Sequence, residues 1–151
     1  MSHELNLHIT RLPHYGDAEL PHYQTKGSAG MDLRAAIDAP IVIDSLQRVL
    51  IPTGLKMAIE WGYEGQVRPR SGLSSKKGIT VINAPGTIDS DYRGEVKVPI
   101  VNLDKNPVTI KPGMRIAQLI IAPVARVSWV EVEEVSETSR SSGGFGSTGN
   151  S

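Results

Sequence analysis

The segment at residues 83–95, NAPGTIDSDYRGE, holds the strongest candidates for catalysis in the sequence. Asp89 and Asp91 are two residues apart, so on a strand or hairpin both carboxylates would point the same way. A carboxylate in such a place can act as a general base toward water. Asn83 offers both hydrogen-bond donors and an acceptor, which suits reading the edge of a base. Because Asp and Ser favour turns, DSDYRG by itself could be only a turn, and a turn or a structural ion pair is the expectation for Asp91.

A basic, glycine-containing segment lies at residues 67–78, VRPRSGLSSKKG. Its cations surround small polar residues: Arg68, Arg70, Lys76 and Lys77 stand around Ser71, Gly72, Ser74 and Ser75. Glycine lets the backbone approach a ligand closely, and arginine together with backbone N–H groups suits an oxyanion. The GKS or GKT core of a Walker A loop is missing. A charged surface turn would explain the same residues.

Residues 28–35, SAGMDLRA, place a carboxylate within an apolar pattern. If the segment is extended, Asp32 and Arg34 share one face, and Met31 and Leu33 share the other. A carboxylate near bound phosphate could hold a metal ion directly or through its waters. The alternative is a strand with one solvated face.

Residues 112–120, PGMRIAQLI, form an apolar stretch that Arg115 and Gln118 interrupt. A polar residue in a buried strand needs a hydrogen-bonding partner, so these side chains could meet a ligand. A core strand with its polar residues on the outer face is the alternative.

The only phenylalanine of the chain, Phe145, lies in the glycine- and serine-rich stretch RSSGGFGSTGNS at residues 140–151. Such a composition cannot build a core and predicts a flexible segment. Its parts nevertheless make sense as a lid, since Phe145 could stack on a ring, Arg140 could meet a phosphate, and the glycines would permit close approach. We therefore expect a domain at residues 1–136 and a flexible arm at residues 137–151 that closes over the active site.

Short runs rich in valine and isoleucine, separated by glycine and proline, predict the elements that position these segments. The predicted strands span residues 39–43, 48–52, 95–101, 108–112, 115–124 and 127–135. Pro99 lies inside one of them, which favours an edge strand or a bulge there. No window shows helical periodicity over more than about a turn. Many short strands with glycine and proline turns predict an all-β fold, either a sandwich, a jelly roll or a barrel.

Composition narrows the class of protein. The chain has 151 residues, enough for one domain with a core, a formal net charge of zero and no cysteine. Zero net charge points to neither a nucleic-acid nor a membrane partner. The absence of cysteine fits a reducing compartment, and neither a signal peptide nor a membrane span is found, so we expect a cytoplasmic protein. All four histidines precede Pro40, away from these segments, and we assign them no catalytic role.

Five motifs in this order and spacing closely resemble those of the trimeric deoxyuridine triphosphatases (dUTPases): AGMDLRA, PRSGLS, GTIDSDYRGE, PGMRIAQLI and RSSGGFGSTG. The resemblance runs from Ser28 to Gly149. It implies a distorted jelly-roll β-barrel that forms a homotrimer with shared active sites. It also implies hydrolysis of dUTP to dUMP and pyrophosphate by attack of water on the α-phosphate, with Mg²⁺ as cofactor. This reaction limits uracil incorporation into DNA and supplies dUMP for thymidylate synthesis.

The resemblance also implies roles for single residues. Asp89 matches the catalytic aspartate, which contacts the 3′-hydroxyl and orients the attacking water, and Asp32 matches the acid that meets the metal through water. Asn83 matches the uracil-reading position, with backbone around Lys97 completing that pocket. Tyr92 matches the tyrosine under the deoxyribose, which leaves no room for a 2′-hydroxyl. The other matched substrate-binding positions are Arg70, Ser71, Gly72 and Gln118 at the phosphates, Arg140, Ser147 and Thr148 at the γ-phosphate end, Phe145 over uracil, and Gly86, Thr87, Ile88 and Gly146.

Three other interpretations stay open at this point. A dCTP deaminase would share the fold but needs an extra acid/base carboxylate at the pyrimidine and a different third motif. A nucleotide-binding or signalling module without catalysis would not need Asp89. A structural jelly-roll protein without a ligand leaves the polar segments unexplained.

Overall fold

The computed structural model describes residues 4–149 and is built mainly of β-strands, which confirms the predicted all-β class. The strands are β1 (His8–Arg11), β2 (Met31–Arg34), β3 (Ile41–Ile43), β4 (Arg48–Ala58), β5 (Tyr63–Arg68), β6 (Ile79–Val81), β7 (Gly86–Ile88), β8 (Glu95–Asn102), β9 (Val108–Ile110) and β10 (Arg115–Pro123). A 3₁₀ turn spans Pro13–Tyr15, and one α-helix, α1, spans Ser71–Lys77. Within residues 4–149, no helix is long and apolar enough to cross a membrane.

Two four-stranded antiparallel sheets enclose a single apolar core. One sheet has the order β1-β4-β8-β6 and the other β2-β10-β5-β7, while β3 and β9 form a separate pair. Both sheets contribute to one cluster of buried residues, with Ile51 and Ile100 from the first sheet and Leu33 and Ile116 from the second. This arrangement closes the apolar face of each sheet against the other, as predicted for a jelly roll.

Strand β8 shows how the sequence pattern produces this packing. Val96, Val98 and Ile100 alternate with Lys97 and Pro99, and the three aliphatic side chains are buried while Lys97 is exposed. The same alternation holds in β2, where Leu33 is fully buried and Arg34 is exposed. Period-two alternation therefore decides which polar side chains face outward and remain available to a site.

Pro99 does not lie on an edge strand, so that alternative is wrong. The β4–β8 pairing is in register at Pro99, and its irregularity lies two to four residues away, opposite Lys97 and Glu95. β8 is an inner strand between β4 and β6. The carbonyl of Pro99 accepts a hydrogen bond from the N–H of Ile82, which follows the last residue of β6. Proline is tolerated here because the neighbouring strand ends at this position, so little of the ladder needs the missing N–H.

Helix α1 is absent from the sequence prediction. It has seven residues and buries none of them, so it leaves no apolar stripe for a periodicity argument to detect. Gly78 ends it in the left-handed conformation (φ 62°), and its N–H donates to the carbonyls of Leu73 and Ser74. A Cβ at Gly78 would lie 2.9 Å from the backbone nitrogen of Asp104, so close approach also favours glycine.

The predicted strand at residues 127–135 is not formed in the described structure, although its alternation is regular. Residues 124–135 carry no strand assignment, and all of them are exposed. Val127, Trp129 and Val130 are among the most exposed apolar side chains of the molecule. A period-two pattern identifies a segment suited to a sheet but cannot supply the neighbouring strand that the segment needs.

Candidate active site

A cavity of about 340 Å³ lies between β7, the start of β8 and the turn that joins them. It gathers seven of the predicted site residues, together with five that the sequence did not indicate. The predicted residues are Asn83, Gly86, Thr87, Ile88, Asp89, Tyr92 and Lys97, and the additional ones are Leu50, Val67, Glu95, Val96 and Pro99. A lining that combines aliphatic side chains with a few polar groups is typical of a small-molecule site.

Strand pairing sets the position of Asp89. β7 pairs with β5 in the register Gly65↔Ile88, so Asp89 leaves the sheet immediately after a buried residue and is exposed. A turn follows, in which the N–H of Tyr92 donates to the carbonyl of Asp89 at 3.1 Å. Because Asp91 lies in this turn and not on a strand, the two carboxylates do not share a face, and only Asp89 lines the cavity.

Asn83, which precedes β7, lines the same cavity. A Cβ at Gly86 would lie 3.3 Å from Asn83 Nδ2 and 3.4 Å from Val67 Cβ. The amide of Asn83 thus lies directly over the backbone of Gly86, where any larger residue would push it away. Glycine at position 86 lets Asn83 present its donor and acceptor atoms to the cavity.

Tyr92 is held by its own turn. Its hydroxyl donates to the backbone carbonyl of Glu95 at 2.8 Å, and a Cβ at Gly94 would overlap the tyrosine ring and hydroxyl. Glycine at position 94 therefore allows the ring to fold back on the chain. Tyr92 is exposed and lines the cavity, so its ring can contact a ligand while its hydroxyl stays bonded.

Glu95 is a cavity residue that sequence reasoning missed. Its carboxylate accepts a hydrogen bond from the N–H of Gly54 at 2.9 Å and is in contact with His14 Nε2. Burial by itself would raise the pKa of Glu95, but the hydrogen bonds from His14 and Gly54 and the nearby His14 and Lys97 charges outweigh it, so this pKa lies below its ordinary value of 4.5. Glu95 is therefore an ionised carboxylate at neutral pH.

The prediction that all histidines lie away from the motifs is wrong for His14. His14 belongs to the 3₁₀ turn after β1 and meets a residue of the GTIDSDYRGE motif that is 81 positions away. No local pattern could have indicated this pair. His3 lies outside the described residues.

A second group of predicted residues surrounds Asp32 on β2. Asp32 Oδ1 lies 2.8 Å from Arg70 Nε, and Asp32 Oδ2 lies 3.4 Å from Arg115. Gln118 on β10 pairs with Asp32 in register, and its amide donates to the carbonyl of Pro69 at 2.9 Å. This bond explains how the polar side chain of an inner strand is satisfied, and it fixes the chain just before Arg70.

Ser71 and Gly72 occupy the first turn of α1, directly after Arg70. The first N–H groups of a helix have no acceptor within the helix and point outward, which suits an oxyanion. Ser71 and Gln118 line a common depression with Arg68 and Pro69. This depression is distinct from the cavity that contains Asp89.

Asp32 is the predicted carboxylate of a metal site. The part of the chain from residue 4 to residue 149 has no group of three or more His, Cys, Asp or Glu side chains placed to hold a metal ion. Mg²⁺ is usually bound by one or two carboxylates, several waters and substrate phosphates. The single carboxylate of Asp32, next to Arg70 and Arg115, fits that mode and not an all-protein site.

The third group lies in the C-terminal arm and touches neither cavity. Arg140 Nε donates to the carbonyl of Gly143 at 2.8 Å, and Ser147 lies beside Gly143. Phe145 is fully exposed, with its backbone in the left-handed region (φ 51°). Gly146 and Thr148 follow in the same turns. In a single chain, the predicted site residues thus fall into three separate groups.

The matching family model and the similar sequences agree on one family. A family model described as dUTPase matches residues 16–149. A deoxyuridine 5′-triphosphate nucleotidohydrolase of Wolbachia sp. subsp. Brugia malayi is 56% identical over 148 residues, covering 97% of this chain and 95% of its own. The enzyme of the same name from Aquifex aeolicus is 66% identical over 143 residues, covering 95% of each chain.

Similar solved structures come from the same family. A mutant dUTPase of Staphylococcus bacteriophage 80alpha with dUpNHpp superposes with a TM-score of 0.85 at 28% identity, covering 96% of this chain and 99% of its own. A mutant dUTPase from phage phi11 of S. aureus, described as revealing the coordination of a structural Mg(II) ion, gives a TM-score of 0.77 at 25% identity and covers 88% of this chain and 100% of its own.

Proposed function

This chain belongs to the dUTPase family and hydrolyses dUTP to dUMP and pyrophosphate, and we propose that the cavity lined by Asn83, Asp89 and Tyr92 binds the nucleoside part of the substrate. The observation that carries this proposal is that a carboxylate, an amide and an aromatic ring converge on one cavity. These are the groups needed to orient a water, to read a base edge and to support a sugar.

Different cavity residues contact the uracil and the deoxyribose of the substrate. Asn83 and the backbone near Lys97 read the uracil edge, and the tight fit at uracil C5 excludes thymine. A cytosine would leave buried donors facing donors, which is costly. Tyr92 supports the deoxyribose and leaves no room for a 2′-hydroxyl. Gly86, Thr87 and Ile88 form the adjoining wall.

Asp89 contacts the 3′-hydroxyl and takes a proton from the water that attacks the α-phosphate. Arg70, Ser71, Gly72 and Gln118 bind the phosphates through guanidinium, hydroxyl, amide and backbone N–H groups. Mg²⁺, held by Asp32 through water, would neutralise charge on the triphosphate. Since phosphoryl transfer requires mainly charge neutralisation and an aligned water, these residues suffice without a serine–histidine pair.

The arm at residues 137–151 closes over the bound nucleotide in this proposal. Phe145 stacks on uracil, Arg140, Ser147 and Thr148 hold the γ-phosphate end, and Gly146 permits the close approach. Support comes from the full exposure of Phe145. In the single chain this apolar ring buries no surface, so it is free to pack on a ligand. Residues 1–136 form the domain that carries the rest of the site.

We also propose that three chains form a homotrimer with shared active sites. The separation of the predicted site residues into three groups supports sharing, because the phosphate, nucleoside and lid groups must meet around one substrate. Exposed apolar residues at 127–135 support assembly, since Trp129 is 93% exposed. An apolar groove of about 590 Å³ that includes Ile9, Tyr63 and Ile121 offers a surface of matching chemistry. The cytoplasmic location and the absence of a nucleic-acid partner stay predictions from the sequence.

The proposal is tested by pyrophosphate release in the presence of Mg²⁺, with dUTP, UTP, dTTP and dCTP compared for the wild type and Asp89→Asn. We expect selective hydrolysis of dUTP that is lost in the variant. Ammonia release from dCTP would identify a deaminase, and binding of dUTP without turnover would identify a non-catalytic module. Either result would contradict the proposal.

A further inference from the structure

The 3₁₀ turn that carries His14 is seated directly on β4. The N–H of Leu12 donates to the carbonyl of Gly54 at 2.8 Å. Gly54 itself has a left-handed backbone (φ 71°), and a Cβ there would lie 3.0 Å from both Cα and Cβ of Tyr15. The turn therefore packs over the bare backbone of Gly54, where a side chain would not fit, and the hydrogen bond from Leu12 joins the turn to β4 beside His14.

The pairing of β4 with β8 is irregular at this point. The register shifts between Pro52 and Lys56, and the N–H of Gly54 turns toward the Glu95 side chain and away from the ladder. Glu95 is only 15% exposed at its side chain, and His14 Nε2 is its second donor. An ionised carboxylate can only accept, so the ring nitrogen that faces it carries a hydrogen.

Glu95 connects this contact to the nucleotide cavity by two routes. Its backbone carbonyl accepts the hydrogen bond from the Tyr92 hydroxyl at 2.8 Å. Its side chain lines the cavity, with Lys97 Nζ at 4.0 Å from Oε2. The first residue of β8 therefore holds the ring of Tyr92, and it is itself held from outside the cavity by His14 and Gly54.

We propose that His14 is a positioning residue of the nucleotide site, which fixes Glu95 so that Tyr92 keeps the place required to exclude a ribose. This inference rests on the proposed function, in which Tyr92 lies under the deoxyribose. His14 does not touch the substrate. Its effect is expected in the discrimination between dUTP and UTP more than in the rate of the chemical step, because Asp89 is joined to this network only through the backbone of Tyr92.

The test compares kcat and KM for dUTP and for UTP in the wild type, His14→Ala, His14→Phe and His14→Gln. A hydrogen bond to a charged group supports a change of about tenfold, so we expect the ratio of kcat/KM for dUTP to that for UTP to fall by that factor in the alanine and phenylalanine variants. Most of the change should come from a higher KM for dUTP and a lower KM for UTP. The glutamine variant keeps an N–H donor and should restore the ratio to within about threefold of the wild type.

The phenylalanine variant keeps the ring volume, so the inference stays testable if His14→Ala fails to fold. His8→Ala is the matched control, because His8 is an exposed histidine of β1 outside the cavity, and its ratio should equal that of the wild type. A purely structural role for His14 would lower the melting temperature and leave the ratio of the folded enzyme unchanged. That outcome would overturn the inference.

A double-mutant cycle tests the route through Glu95. If His14 acts only by holding that carboxylate, His14→Ala combined with Glu95→Gln should lose no more discrimination than the worse single variant. If the double variant loses the product of the two single losses in the dUTP-to-UTP ratio, the proposed route is overturned. Absence of dUTP hydrolysis by the wild type would overturn the proposed function and this inference together, whereas unchanged selectivity in an active His14→Phe enzyme would overturn the inference alone.

Discussion

The cavity around Asp89 and the segment at residues 124–149 contrast sharply within one chain. The cavity is already formed in a single chain, because its lining residues lie on paired strands, on β4, β5, β7 and β8, or directly beside them. The C-terminal segment exposes Trp129, Val130 and Phe145. The N–H of Val124, its first residue, donates to the carbonyl of Gly62, and after that point its described hydrogen bonds are between near neighbours in sequence. In the function that we propose, folding organises the first region, and contact with another chain or with the nucleotide organises the second.

The largest effect is expected inside the cavity, at Asp89. Asp89→Asn removes the proposed general base while keeping the side-chain shape, and a general base contributes about 10²–10⁴ in rate. We expect kcat to fall by about a thousandfold, with the melting temperature unchanged because this side chain is exposed. Steady-state pyrophosphate release and thermal unfolding measure the two quantities. The control is Asp91→Asn, which should remain active because Asp91 does not line the cavity.

The next largest effect is expected at residues 127–135, the part of the C-terminal segment that we assign to assembly. Trp129→Lys places a charge on the exposed apolar stretch, and we expect the mass measured by light scattering to fall from that of a trimer toward the 16.3 kDa of one chain. Because the site is shared in our proposal, activity should fall with assembly. Trp61→Lys is the matched control on the turn after β4, also at an exposed tryptophan. If Trp129→Lys stays trimeric, this stretch is not the interface.

A smaller effect is expected at the lid. Stacking of a base on an aromatic ring contributes about 1–3 kcal/mol, so Phe145→Ala should lower kcat/KM for dUTP by about tenfold or more. Phe145→Tyr keeps the ring and should remain within about threefold of the wild type. The melting temperature without nucleotide should not change in either variant, since the ring is fully exposed. An alanine variant with unchanged turnover and dUTP affinity would refute the stacking role.

The smallest effect concerns pH and returns to the cavity. The pKa of Glu95 is lower in the folded protein than its ordinary value of 4.5, so its contribution to stability is present above that value and is lost as pH falls through the folded pKa. We expect the wild type to lose melting temperature on acidification below about pH 4.5 more steeply than Glu95→Gln. Glu131→Gln, in the exposed segment, should follow the wild type. Parallel curves for Glu95→Gln and the wild type would refute this stabilising role.

Local sequence patterns predict the cavity region better than the C-terminal segment. Strand β8 was predicted nearly to its ends, because period-two burial is a local property. The strand predicted at residues 127–135 is not formed in the single chain, although its alternating pattern is just as regular as that of β8. Helix α1 was missed because a short helix without buried residues has no apolar period. The roles assigned to the cavity residues, to Asp32 and to the arm stay predictions.

The sequence alone determined the chemical groups of the site and the strands that carry most of them, because residue type, local alternation and motif spacing are properties of neighbouring positions. Only the tertiary structure decided that Asp89 faces the cavity while Asp91 does not, that Asp32 is held between Arg70 and Arg115, and that Glu95 is fixed by His14. These are contacts between distant parts of the chain, such as the 81 positions that separate His14 from Glu95. Their geometry follows from the packing of two sheets around one core, which no local pattern specifies.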